Sequence, residues 1–333
     1  MTVIPFVQLA DPCHGQVVQV APLIRRVVAN NPSKFTYHGT GTYLIGGNRP
    51  GDEVAVIDPG PRLDSHREAL SVALGGQRVI AILITHCHGD HSPLAAWLHD
   101  ETGAPTMAFG PHSRMVDPDA DVSYTDLDDE TDDESAAADP TATASDPAKI
   151  EETTDYEFDP DIRVADGEVA AAGPGFTLRA VHTPGHTSNH LCYSFDEQRS
   201  LFTGDHIMGW STTVIGPPDG DMRAYFDSLR KVQRSDYEVY WPTHGSPVTD
   251  TGPFVEAFIA HRLQREAAVL QRVRAGDSSI AVIVRRLYAD VARPLHKPAA
   301  RSVLAHLHKL VADGLVAVAG GGTPLLASTY LPA

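Results

Sequence analysis

Three imidazoles and a carboxylate fall within six residues in the run Thr85-His86-Cys87-His88-Gly89-Asp90-His91, directly after the apolar stretch 79–84. That density is metal-ligand chemistry. Side chains two apart on an extended segment point the same way, so His86 and His88 converge on one ion, while the turn that follows aims Asp90 and His91 at a second. Cys87, between them, faces the opposite side as a small buried hydrophobe. Ser92-Pro93 offers an N-cap and a first-turn proline, predicting a helix to about His99. Further ligand candidates are His186, Asp205 and His244. Each follows a short β-like run (177–181, 200–202 and 237–241), and a glycine or proline shapes the turn. Asp58 ends the strand-like run 53–57 and could fix a ligand imidazole from outside. His182, His190 and His206 lie near these motifs but read as packing or hydrogen-bonding residues.

The H-x-H-x-D-H run with later His, Asp and His in this order resembles the metallo-β-lactamase superfamily. The segment 209–222 with Tyr225 and Ser228-Leu229, and the pairs His261-Arg262 and Arg265-Glu266, resembles the β-lactamase-like protein 2 group, relatives of glyoxalase II. The likeness spans nearly the whole chain except about 117–161. It implies an α/β fold, a four-layer αββα sandwich with metals at one edge, and a small C-terminal winged-helix-like domain. It further implies one metal on His86, His88 and His186, another on Asp90, His91 and His244, and Asp205 between them. The ions expected are two divalent metals, zinc by default, with iron or manganese accepting the same ligand types. The expected reaction is hydrolysis of a small-molecule thioester or ester, as in glyoxalase II. A hydroxide held by the two ions attacks the carbonyl, with Asp90 orienting it. Ser211, Thr212 and Thr213 are candidates for substrate contact or for shaping a turn. The C-terminal segment is unlike the glutathione-binding region of glyoxalase II, so the acyl carrier stays open. The alternative is a metal-dependent endoribonuclease on single-stranded RNA, which the basic C-terminal tail suggests.

The elements that must position these residues can be read around them. Runs 42–45 and 53–57 read as strands, 63–74 as a helix and 79–84 as the strand feeding the metal motif. Helices are expected over 254–275, 279–291 and 298–312, followed by a strand at 315–318, the order of a winged helix. This gives a catalytic domain over 1–253 and a small domain over 254–333. Arg301, His306, His308 and Lys309 are the side chains that the third helix would offer DNA, a minor alternative. The 333 residues carry a net charge of -17, which argues against general polyanion binding, but the charge is uneven. Residues 117–163 hold 18 acidic against 2 basic residues, and 261–333 hold 10 basic against 4 acidic. With few large apolar residues, the stretch 117–161 is expected to be an acidic, mobile insertion. Three widely spaced cysteines do not form a disulfide framework, no apolar run approaches ~20 residues, and no secretory pattern opens the chain. A cytoplasmic protein without a membrane span is expected.

Overall fold

A computed structural model describes residues 3–7, 11–120, 153–291 and 293–333. The segment 121–152, the bulk of the expected mobile insertion, lies outside the described residues. The first sheet has seven strands in chain order: β1 (Val17–Ala21), β2 (Ile24–Val28), β3 (Gly41–Gly46), β4 (Glu53–Ile57), β5 (Arg78–Leu83), β6 (Thr106–Ala108) and β7 (Ile162–Arg163). Pairing is antiparallel to β4 and parallel from β4 to β7. The second sheet runs β12-β11-β10-β9-β8, from β8 (Val169–Gly173), β9 (Phe176–His182), β10 (Leu191–Phe195), β11 (Ser200–Gly204) and β12 (Val239–Pro242).

Alternation along the strands decides which layer each side chain enters. In β3 and β4, Tyr43, Ile45, Ala55 and Ile57 face the second sheet, where they meet Phe176, Phe195, Phe202 and Trp241. Leu44, Val54 and Val56 face outward, under α1 (Asp64–Leu74) and α2 (Ala95–Thr102), against Leu70, Leu74, Leu94 and Leu98. Strands buried on both faces read as continuous apolar runs rather than alternating ones. The second sheet is covered by α3 (Met222–Gln233) and the start of α4 (Thr251–Arg274) through Tyr225, Phe226, Leu229, Phe254 and Phe258. The layers are therefore helix, sheet, sheet, helix.

A separate core joins the end of α4 to α5 (Ile280–Leu287), α6 (His296–Ala312) and the hairpin β13 (Val316–Val318) with β14 (Tyr330–Pro332). The helices and hairpin follow the winged-helix order. The boundary expected at 253/254 falls inside α4, which supplies Phe254 and Phe258 to one core and Val269 and Val273 to the other. No helix among the described residues is long and apolar enough to cross a membrane.

The structure revises some local readings. Ser92 does not cap a helix: α2 starts at Ala95 after Leu94, and the Ser92 hydroxyl donates to Asp155 Oδ2 at 2.8 Å. The helix expected over 279–291 runs only from Ile280 to Leu287, with Ser279 as its N-cap. The flanks of the acidic stretch pack onto the body. Asp117 pairs with Arg301 at 2.8 Å, Asp119 accepts from the Leu326 N–H, Phe158 is buried in the outer core, and Asp161 accepts from Thr106.

Candidate metal centre

Five strand ends reach one edge of the sandwich and carry the chemistry there. Asp58 follows β4, the run 85–91 follows β5, and His186, Asp205 and His244 follow β9, β11 and β12. His86 Nε2 lies 3.0 Å from His88 Nδ1, which lies 3.1 Å from His186 Nε2. Three ligands ~2.0–2.1 Å from a tetrahedral centre stand about 3.4 Å apart, so this spacing suits one ion. Burial pushes His86 and His88 well below 6.5, with neighbouring imidazoles adding to it. Both rings are neutral and keep a lone pair to give.

The second group is Asp90, His91 and His244. His244 Nε2 is 3.2 Å and His91 Nε2 3.5 Å from Asp90 Oδ2. Asp205 stands between the groups: Oδ1 is 3.4 Å from His244 Nε2 and 3.6 Å from His91 Nε2, while Oδ2 is 3.8 Å from His186 Nε2. Burial alone would lower the His91 pKa, but Asp90, Asp58 and Asp205 hold it up at about 10. Carboxylates crowd this pocket, and a divalent cation would neutralise them. His91 Nε2 and Asp205 Oδ1 are buried without a hydrogen-bond partner among the described residues, atoms whose desolvation a ligated cation would offset. The donor set fits divalent metal.

Outer partners fix each ring. Asp58 Oδ2 accepts from His91 Nδ1 at 2.8 Å and from the Thr85 hydroxyl at 2.8 Å, while its Oδ1 accepts from the Thr85 N–H. His186 Nδ1 donates to the Val214 carbonyl at 2.7 Å, and His244 Nδ1 contacts the Gly39 carbonyl at 3.2 Å. These bonds at Nδ1 leave Nε2 of all three rings for metal. The Thr40 hydroxyl donates to Asp90 Oδ2 at 2.7 Å, and Asn31 Nδ2 donates to Thr40. Arg26 grips the His244 turn by donating to the carbonyls of Thr243 and Gly245, each at 2.9 Å. Thr153, Asp155 and Cys87 tie the metal loop from above: Gly89 N–H donates to Thr153 O, and Asp155 N–H to Cys87 O.

Asn31, Thr40, Arg26 and Asp155 were not singled out in the sequence, since each meets the site across tens to hundreds of residues with no local motif. Cys87 lies fully buried, its sulfur accepting from Asn189 Nδ2 at 3.2 Å and its thiol pushed up to about 12, first by burial. His190 bonds Thr183, and His182 bonds the Ser188 carbonyl. His206 is buried with neither ring nitrogen partnered. Of the hydroxyls raised as substrate contacts, Thr213 instead donates to the carbonyls of Asp205 and His206, and Ser211 to that of Thr212. Ser211, Thr212 and Thr213 do not line the two cavities that reach His88 and His186; Val214 does. On α6, His306 is buried against Glu266, and Arg301 and Lys309 pair with Asp117 and Glu266. Three of the four side chains considered for DNA are thus turned to the protein.

The turn that presents His186 is stitched to α3. Gly185 has φ +141°, and a Cβ there would stand 2.5 Å from Tyr225 Cα. Gly185→Ala is expected to part the turn from α3, costing about 1–3 kcal/mol and lowering metal retention. Thermal unfolding and metal analysis of the purified variant check this, and unchanged values for both would refute it.

The sequence pattern of the metallo-beta-lactamase superfamily matches residues 39–244, and that of the beta-lactamase associated winged helix domain matches 279–323. Among relatives, the Aspergillus chevalieri protein named atrochrysone carboxyl ACP thioesterase is 30% identical over 90% of this chain and 85% of its own length. The beta-lactamase-like protein 2 homolog of Caenorhabditis elegans is 27% identical over 90% of this chain and 88% of its own. The chain spans 65% of the length of the thioesterase-named relative from Aspergillus novofumigatus, at 30% identity. A beta-lactamase domain protein from Burkholderia ambifaria has the same fold, with a TM-score of 0.72 and 21% identity over 99% of this chain and 97% of that one.

Proposed function

The chain belongs to the metallo-beta-lactamase superfamily, and on that premise we propose that it is a binuclear metal-dependent hydrolase of acyl thioesters. The observation that carries this reading is Asp205, whose two oxygens face His186 on one side and His91 with His244 on the other. His86, His88 and His186 would hold one ion and Asp90, His91 and His244 the other. Zinc suits imidazole and carboxylate, as do iron and manganese. When bound, such ions supply Lewis acidity toward a carbonyl and lower the pKa of water from ~16 toward ~7.

The protein's own contribution is placement. Asp58 and the Val214 and Gly39 carbonyls set the rings, while Thr40 keeps Asp90 turned toward His244. Asp90 and Asp205 are the carboxylates at the reaction edge able to orient water and take its proton. Phe35, Met208 and Val214 line the mouth and limit bulk solvent. No cysteine nucleophile is needed, since Cys87 and Cys192 are buried with thiols pushed up to about 12 by burial. In the net reaction the acyl C–S bond breaks, a C–O bond to water oxygen forms, and the thiol leaves with one water proton.

Relatives named ACP thioesterases support the thioester over other carbonyl substrates. The test is thiol release by metal-loaded protein from a panel of acyl thioesters, with single-stranded RNA as a parallel substrate. Release that disappears on chelation and returns with metal is expected. No release from any thioester, or cleavage of RNA alone, would overturn the reading.

A further inference from the structure

Two cavities of different chemistry open from the metal centre and meet at His88 and His186. The smaller, about 150 Å³, is walled by Phe35, Met208 and Val214 beside Asp90 and Asp205. The larger, about 260 Å³, is lined by His112, Ser113, Tyr156, Asp117 and Asp219 among others. No lysine or arginine is among the described residues that line it. Asp219 is held by Ser188, accepting from its N–H at 2.8 Å and its hydroxyl at 2.6 Å, and lies 3.8 Å from His112 Nε2. The His112 ring packs edge-on to Tyr156 and stands 6.2 Å from the His88 ring. Its Nδ1 is buried with no hydrogen-bond partner among the described residues.

We propose that these cavities sort the two halves of the substrate. An apolar acyl group occupies the Phe35, Met208 and Val214 cleft, and an uncharged, amide-bearing thiol arm runs along His112 and Tyr156. This assignment rests on the thioesterase reading and narrows it. The smaller cleft removes methylenes from water, and its polar side chains, His88, Asp90, His186 and Asp205, are all candidate metal ligands rather than partners for a hydroxyacyl group. In the wall of the larger cavity Asp117 is paired with Arg301, so Asp219 is the carboxylate that disfavours an arm carrying carboxylates or phosphates, because like charges at close range repel. An arm of amides can meet the His112 ring, Ser113 and the Tyr156 ring without that cost. His112 is thus a binding residue for the leaving half, and Phe35 with Met208 are determinants of acyl preference.

The experiment compares kcat/KM of the full-length, metal-loaded protein for acetyl and hexanoyl thioesters of N-acetylcysteamine, a small uncharged amide thiol, and for hexanoyl-glutathione. Each buried methylene contributes roughly fourfold, so hexanoyl is expected to exceed acetyl by about tenfold or more, and N-acetylcysteamine to exceed glutathione as the carrier. Phe35→Ala is expected to narrow the hexanoyl-to-acetyl ratio about fivefold. His112→Ala is expected to raise KM for the N-acetylcysteamine ester more than it lowers kcat, and His112→Gln, which keeps a hydrogen-bonding group, to recover part of that loss. Equal rates for the two acyl groups, or preference for glutathione, would overturn the sorting while leaving thioester hydrolysis standing. Absence of turnover on every thioester would overturn the hydrolase reading itself.

Discussion

His88→Ala is expected to lower kcat/KM for thioester hydrolysis by more than the ~10- to 100-fold that loss of an outer partner costs at a metal site, and to drop bound metal by about one ion per chain. His88 Nδ1 is the common neighbour of His86 Nε2 and His186 Nε2, at 3.0 and 3.1 Å. Removing it leaves two nitrogens where the first ion needs three. The ring is only partly buried, and its nitrogen contacts are to other candidate ligands, so the metal-free variant should unfold at nearly the wild-type temperature. Metal content by elemental analysis, thiol release and thermal unfolding together make the check. Normal activity with normal metal content would remove the basis of the proposed site.

The second large effect is expected from Asp58→Asn, which changes charge and donor pattern while keeping shape. Asp58 is fully buried with φ +49°, a backbone conformation that asparagine tolerates. Its two oxygens accept four hydrogen bonds, from the Thr85 N–H, the Thr85 hydroxyl, His91 Nδ1 and, at 3.4 Å, the Thr243 hydroxyl. Whichever way an amide turns, its NH₂ group meets a donor: the Thr85 N–H at one oxygen's position, the His91 ring at the other. With the NH₂ at the Oδ2 position His91 loses the bond that points Nε2 at the second ion, and with it at Oδ1 the Thr85 N–H, next to His86, loses its acceptor. Metal affinity is expected to fall ~10- to 100-fold, with excess metal restoring most of kcat. A merely structural defect would not be rescued by metal, so failure of rescue would count against Asp58 as the residue that orients His91.

The candidate ligand set was legible in the sequence because its densest part is local and its remote members sit where β-like runs give way to glycine or proline turns. His186, Asp205 and His244 each met that description, and each lies with the 86–91 cluster. What surrounds them was not legible, because the contacts are long in sequence. Thr40 reaches Asp90 across 50 residues, and Arg26 reaches the His244 turn across more than 200. β1 and β2 escaped notice partly because Arg25 and Arg26 break the apolar pattern. Both are nonetheless buried, with guanidinium groups donating to carbonyls of Ala73, Gly47, Thr243 and Gly245. Ser92 looked like a cap and serves Asp155 instead, a residue 63 positions away. The hydroxyls at 211–213 drew attention by their type, yet the Val214 carbonyl is what holds His186, and Phe35 and Met208 are the apolar walls beside the candidate ligands.

The helix from Thr251 to Arg274 is a keel common to both halves of the molecule. Its first turns floor the sandwich, Arg262 midway donates to the Thr213 carbonyl one residue from the carbonyl that holds His186, and its last turns anchor the terminal hairpin and helices. The end of the chain therefore cannot be exchanged as a cassette, in a natural recombinant or an engineered chimera, without rebuilding the footing of the reaction chamber.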